Sequence, residues 1–186
     1  MLPRYLSQVK KLVKDKMLKS ISNKNKIEEA MAYSSLADSK MIRAGLVFAS
    51  SETNINIAKE SIITLSTAVE LMHTYSLIHD DLPCMDDDNL RRNQPSSHIK
   101  YGEASAVLVG DALQALAYEI IVNDNFLSSD DKVNAINLLS KACGKNGMVL
   151  GQYLDIENEN NQNIDLKNLK LNQLISLLLV LLHLNQ

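Results

Sequence analysis

The sequence predicts an all-α protein, a bundle of antiparallel helices, and three observations carry that expectation. Trp is absent, Phe occurs twice and Gly six times in 186 residues, while Leu, Ile, Ala, Lys, Glu and Met fill the long segments. Those residues favour helix over sheet. Apolar residues recur at helical spacing through several stretches separated by polar connectors. The longest stretch, from Ile57 to about Leu82, continues for roughly seven turns with no Gly or Pro before Pro83, which makes it a long, mostly buried helix.

The elements follow in order. Helical periodicity predicts a first helix from about Tyr5 to Ile21 and a second from Ile27 to Ala37, joined by the polar Ser22-Asn23-Lys24-Asn25. A third runs from about Met41 to Ser50, and the Thr53-Asn54 break precedes the long helix. The polar segment Arg91 to Lys100 holds Pro95 and ends near Gly102. Glu103 to Val122 is again helical, and its alanines permit close helix approach. Ser128-Ser129-Asp130-Asp131 supplies an N-cap and an acidic first turn for a helix ending near Cys143-Gly144. Met148 to Glu157 continues in helical pattern, and Asp165 is the expected cap of a last helix. No solenoid repeat or sustained heptad pattern is present.

Whole-chain properties narrow the function. A chain of 186 residues is expected to form one domain. Its net charge of −3, with signs interspersed, gives no basic field for general nucleic-acid binding. Cys84 and Cys143 lie far apart without metal-ligand spacing, and no apolar signal peptide opens the chain, so a reducing cytoplasm is expected. The most apolar run, Leu174 to Leu184, is about half the length of a membrane-spanning helix, so no membrane span is expected.

Chemistry concentrates at the end of the long helix, in His79-Asp80-Asp81-Leu82-Pro83-Cys84-Met85-Asp86-Asp87-Asp88-Asn89-Leu90-Arg91-Arg92. Clustered carboxylates repel one another and oppose the negative end of the helix macrodipole, so a bound cation is expected to offset them. Magnesium takes one or two such carboxylates and fills its other positions with water and phosphate oxygens. The Arg pair offers bidentate contacts to the same phosphates. An isolated acidic run is usually a solvated loop; the arginines and the buried helix weigh against that here. A calcium loop fails because Asp86, Asp88 and Leu90 break the alternating ligand pattern and no Glu closes it.

Asp80-Asp81-Leu82-Pro83-Cys84-Met85-Asp86, followed by Arg91-Arg92, resembles the first aspartate-rich motif of the isoprenyl diphosphate synthases, closest to the bacterial farnesyl diphosphate synthase type. The match extends from Val69 to His79 before the motif and through Gly102-Glu103-Ala104 and Val109-Gly110-Asp111-Ala112-Leu113 after it. Lys40-Met41-Ile42-Arg43 resembles the family's basic motif, although Asp38, Ser39 and Ala44 replace its usual glycines and proline and Met41 a common Arg. Gly151-Gln152-Tyr153-Leu154-Asp155 resembles its Gly-Gln-x-x-Asp element.

The resemblance implies a helix bundle of the isoprenoid synthase type. It also implies a reaction in which magnesium and cations draw diphosphate from an allylic substrate and isopentenyl diphosphate attacks the resulting carbocation. Asp80 and Asp86 would be primary metal ligands with Asp81 supporting them, and Gln152 and Asp155 would face the same metal and diphosphate region. Arg91 would contact the allylic diphosphate. Lys40, Arg43, His73 and Arg92 would hold isopentenyl diphosphate. His73, two turns before Asp80, can project into the same cavity. Tyr75 and Ser76 would limit chain growth, at farnesyl diphosphate.

After Asp155 the chain lacks the family's Lys-Thr element and second aspartate-rich motif, and the Leu-rich residues 169–186 are expected to be an aberrant or truncated tail. A weakly active or inactive fragment of a homodimeric enzyme is therefore expected. A non-catalytic helical partner or diphosphate-binding module is the alternative. A terpene cyclase fits less well, because Lys40, Arg43, His73 and Arg92 suit a second diphosphate substrate.

Overall fold

In the computed structural model, residues 2–52 and 57–159 are described. They form eight helices and one small hairpin: α1 (Leu2–Ser20), α2 (Lys26–Ser35), α3 (Ile42–Ser51), α4 (Lys59–Asp80), β1 (Leu90–Arg91), β2 (Gln94–Pro95), α5 (Ser97–Tyr101), α6 (Glu103–Val122), α7 (Ser129–Cys143) and α8 (Met148–Glu159). The all-α bundle is as predicted. The expected Asp165 cap and the tail at residues 169–186 lie outside the described residues.

Burial selects the centre of the bundle. Thirteen of the residues of α4 are buried, among them Leu71 and Met72 at 0% exposure. Two of its buried hydroxyls are satisfied within the helix: Thr67 donates to the Ile63 carbonyl and Thr74 to the Glu70 carbonyl. The most extensive packing is between α4 and α6, with α1 and α3 on α4 and α2 and α5 on α6. Gly110 allows the α4–α6 approach: a Cβ there would lie 2.1 Å from His79 Nε2. Among the described residues α6 is long and apolar enough to cross a membrane, and its apolar residues Val109, Leu113, Ala117 and Ile121 are buried in the core.

The caps explain where helices begin. Asn25 accepts from the Glu28 N–H at 3.0 Å and opens α2. Ser128, the cap expected from sequence, accepts from the Asp131 N–H at 3.1 Å and opens α7.

The polar segment after the aspartates is more ordered than its composition indicated. β1 and β2 pair antiparallel, with Leu90 opposite Pro95 and Arg91 opposite Gln94. The two turn residues, Arg92 (φ 55°) and Asn93 (φ 63°), both adopt the left-handed backbone that a tight two-residue hairpin requires. Arg92 thus sits in a strained turn, held by the structure around it.

Candidate active site

The C-terminus of α4 divides the two adjacent aspartates. Asp80 is the last helical residue and Asp81 the C-cap. The loop beyond curls back, with the Asp86 N–H donating to the Asp80 carbonyl at 2.8 Å and the Met85 N–H to the Leu82 carbonyl at 2.9 Å. Pro83 prevents the helix from continuing. The fold-back, and not helical periodicity, therefore brings Asp86 beside Asp80.

Asp81 turns inward and is 2% exposed. It accepts from Arg91 Nε at 2.8 Å and also from Arg91 Nη2, which reaches Asp88 Oδ2 at 2.8 Å. Burial raises the Asp81 carboxyl and the Arg91 contact opposes that rise. The acid thus serves as the anchor of the hairpin. Arg91 is committed to Asp81 and Asp88 and lines the basic cleft described below.

Asp80 instead faces a cavity of about 470 Å³ shared with Tyr75, Ser76 and Gln152, and walled by apolar groups including Met72, Met85, Met148 and Ile156. Burial, then the charges of Asp86, Asp81 and Asp155, push the Asp80 carboxyl up from 3.8 to about 7, against the pull of Arg91. Asp155 Oδ1 is buried with no hydrogen-bond partner among the described residues. A crowded set of acids, one with an orphaned oxygen, fits a cation ligand that takes few carboxylates and completes its shell with water and phosphate. Among the described residues, no three metal-ligating side chains are already gathered into a complete cluster.

A second, more open cleft of about 840 Å³ adjoins the first. Lys40, Arg43, His73 and Arg92, the four residues grouped by resemblance, line it together with Arg91. Burial, then Arg43 and Arg92, hold the His73 imidazole down at about 3, so it is neutral at physiological pH. The two hollows share Arg43, His73 and Leu77.

Three residues of the site had been given no role from sequence. Glu70, 3% exposed on α4, accepts the Ala44 N–H at 3.0 Å. Its signal was visible as a lone acid in the middle of an apolar helix. His79 packs its ring edge-on to Tyr75 at 5.7 Å and reaches the Val107 carbonyl from Nε2 at 3.1 Å. Gly110 provides the room for that ring, and neither could be paired without knowing which helices touch.

A helix bundle with an aspartate-rich loop ending its central helix, beside a cleft of Lys and Arg, defines a class. The chain belongs to the polyprenyl synthetase family, whose model matches residues 24–176. Among its relatives, the farnesyl diphosphate synthase of Buchnera aphidicola subsp. Schizaphis graminum is 51% identical over 133 residues, covering 70% of this chain and 45% of that protein. The farnesyl diphosphate synthase of Escherichia coli is 43% identical over 135 residues, covering 72% and 45%. The chain spans about half the length of the curated relatives it matches. The apo crystal structure of an FPP/GFPP synthase from Zymomonas mobilis superposes with a TM-score of 0.91 at 34% identity, over 99% of this chain and 69% of the other.

Proposed function

We propose that the whole protein is a magnesium-dependent prenyltransferase that condenses an allylic diphosphate, dimethylallyl or geranyl, with isopentenyl diphosphate to give farnesyl diphosphate. The observation that carries this reading is the shared wall: an acid-lined apolar cavity and a basic cleft have Arg43, His73 and Leu77 in common. Two anionic substrates whose carbon ends must meet require two anion-holding sites side by side. A cyclase, with one diphosphate substrate, has no use for the second.

Asp80, Asp86 and Asp155 would hold magnesium, and Gln152 would face the same region. Magnesium, when bound, supplies Lewis-acid stabilisation of charge developing on the leaving diphosphate. The cavity's apolar wall excludes water from the allylic cation. Lys40, Arg43 and Arg92 hold the isopentenyl diphosphate, and neutral His73 adds a polar contact without a further charge. The double bond of that substrate attacks the cation, and loss of a proton restores an alkene. Tyr75, with Ser76 beside it, limits product length, consistent with the ring lining the cavity.

The same reading makes residues 1–186 one incomplete domain of a cytoplasmic homodimer, with weak turnover on its own. The chain's share of its relatives' length supports the first of these, a part of a longer domain, and bears on none of the others.

Titration calorimetry with geranyl diphosphate tests the reading. Magnesium is expected to tighten binding at least about fivefold, and Asp80→Asn to abolish that gain. An affinity indifferent to magnesium would reject it. A steady-state assay on the 186-residue chain then measures turnover, and a rate ordinary for such enzymes would reject the expectation of weak activity.

A further inference from the structure

The basic arm from Lys40 to Arg43 leads into α3, and no side chain on that arm caps the helix. Met41 occupies the N-cap position with a left-handed backbone (φ 46°) and no side-chain cap bond, its own side chain being buried at 4% exposure. The first N–H groups of a helix have no intrahelical acceptor. Ala44 carries one of them, and it donates at 3.0 Å to Glu70 Oε1, which reaches over from α4.

Glu70 is 3% exposed, one turn before His73, and lines the basic cleft. Burying a carboxylate is costly unless it is hydrogen-bonded and faces opposite charge. Burial raises the Glu70 carboxyl, while the Ala44 N–H, Arg43 and Arg92 all oppose that rise. Arg43 and Arg92 line the cleft, and Ala44 follows Arg43 in the first turn of α3. The carboxylate is thus a strut between α4 and the start of α3.

Resting on the assignment of the basic cleft to isopentenyl diphosphate, we infer that Glu70 is a positioning residue for that substrate: it supplies from α4 the cap that Met41 lacks and so fixes Lys40 and Arg43 in the cleft with Arg92.

Three variants separate hydrogen bond, charge and bulk. Glu70→Ala removes the acceptor, Glu70→Gln keeps an amide oxygen without the charge, and Ala44→Pro deletes the donor at the third residue of α3. Titration calorimetry on the 186-residue chain measures isopentenyl diphosphate in one arm. Geranyl diphosphate with magnesium, in the other, reads the acid-lined cavity.

Glu70→Ala is expected to weaken isopentenyl diphosphate about tenfold while leaving geranyl diphosphate within about twofold. Glu70→Gln recovers most of the loss. The double variant with Ala44→Pro loses less than the product of the single losses, as coupled partners do. Unchanged isopentenyl diphosphate affinity in Glu70→Ala overturns the inference, as does Glu70→Gln as weak as Glu70→Ala, or equal weakening of both diphosphates. If circular dichroism shows Glu70→Ala unfolded, Ala44→Pro decides: weaker isopentenyl diphosphate binding supports the strut, and parental affinity overturns it. A parent that binds no isopentenyl diphosphate overturns the reading of the cleft and this inference with it. A parent that binds, with variants that match it, overturns the inference alone.

Discussion

Asp80 shows how much a single carboxyl can bear on the behaviour of this protein. In the fold its carboxyl is pushed up to about 7, against 3.8 ordinarily, because burial and three neighbouring acids disfavour its charge. The folded state therefore binds the proton more tightly than the unfolded chain. Stability from this group is fully present below about pH 4 and is lost as pH rises through 7. Asp80→Asn escapes that loss. After discounting for solvent screening, it should gain about 1–2 kcal/mol over the parent near pH 8 and nothing near pH 4. Metal-free thermal unfolding at both values checks this, and equal shifts at both would refute it. Asp81, next in the chain, is also raised by burial, but there a guanidinium opposes the rise. Arg91→Ala would leave that carboxylate buried without its ion-pair partner and should cost about 3–5 kcal/mol by urea unfolding. A cost under about 1 kcal/mol would show that Asp81 finds water instead.

Among the elements, the α4–α6 pair decides both packing and the shape of the cavity. His79 fills the space that Gly110 leaves and stands edge-on to Tyr75. Gly110→Ala should cost about 1–3 kcal/mol, since its Cβ displaces that ring or parts the helices. Denaturant unfolding measures the loss, and a change below about 0.5 kcal/mol would mean the ring swings aside freely. The helices themselves were legible in sequence because a 3.6-residue apolar period is a local property. The hairpin at Leu90–Pro95 was not, for Arg92 is atypical of a tight turn and its left-handed backbone is enforced by surroundings. Nor could α4 be trimmed to Asp80 from pattern alone, since Leu82 continues the apolar spacing but leaves the helix.

For the molecule as a whole, a net charge of −3 conceals one strongly basic cleft. On the proposed reading, in which the cations of the cleft hold isopentenyl diphosphate, its affinity should fall about tenfold or more as salt rises from about 0.05 to 0.5 M. Calorimetry in a salt series checks this, and a flat series would show that the cleft does not bind by charge.

By itself the sequence determined the helix periods and the cap at Ser128, because each of these depends on neighbours a turn or two away along the chain. Only the tertiary structure decided that Asp80 faces the cavity while Asp81 clamps Arg91, and that Glu70 caps a helix to which it does not belong. It also decided that Lys40 and Arg43 meet Arg92 across a single cleft. Those outcomes depend on how α3, α4 and the hairpin pack together, and burial and charge pairing between distant segments are settled only when the chain closes on itself.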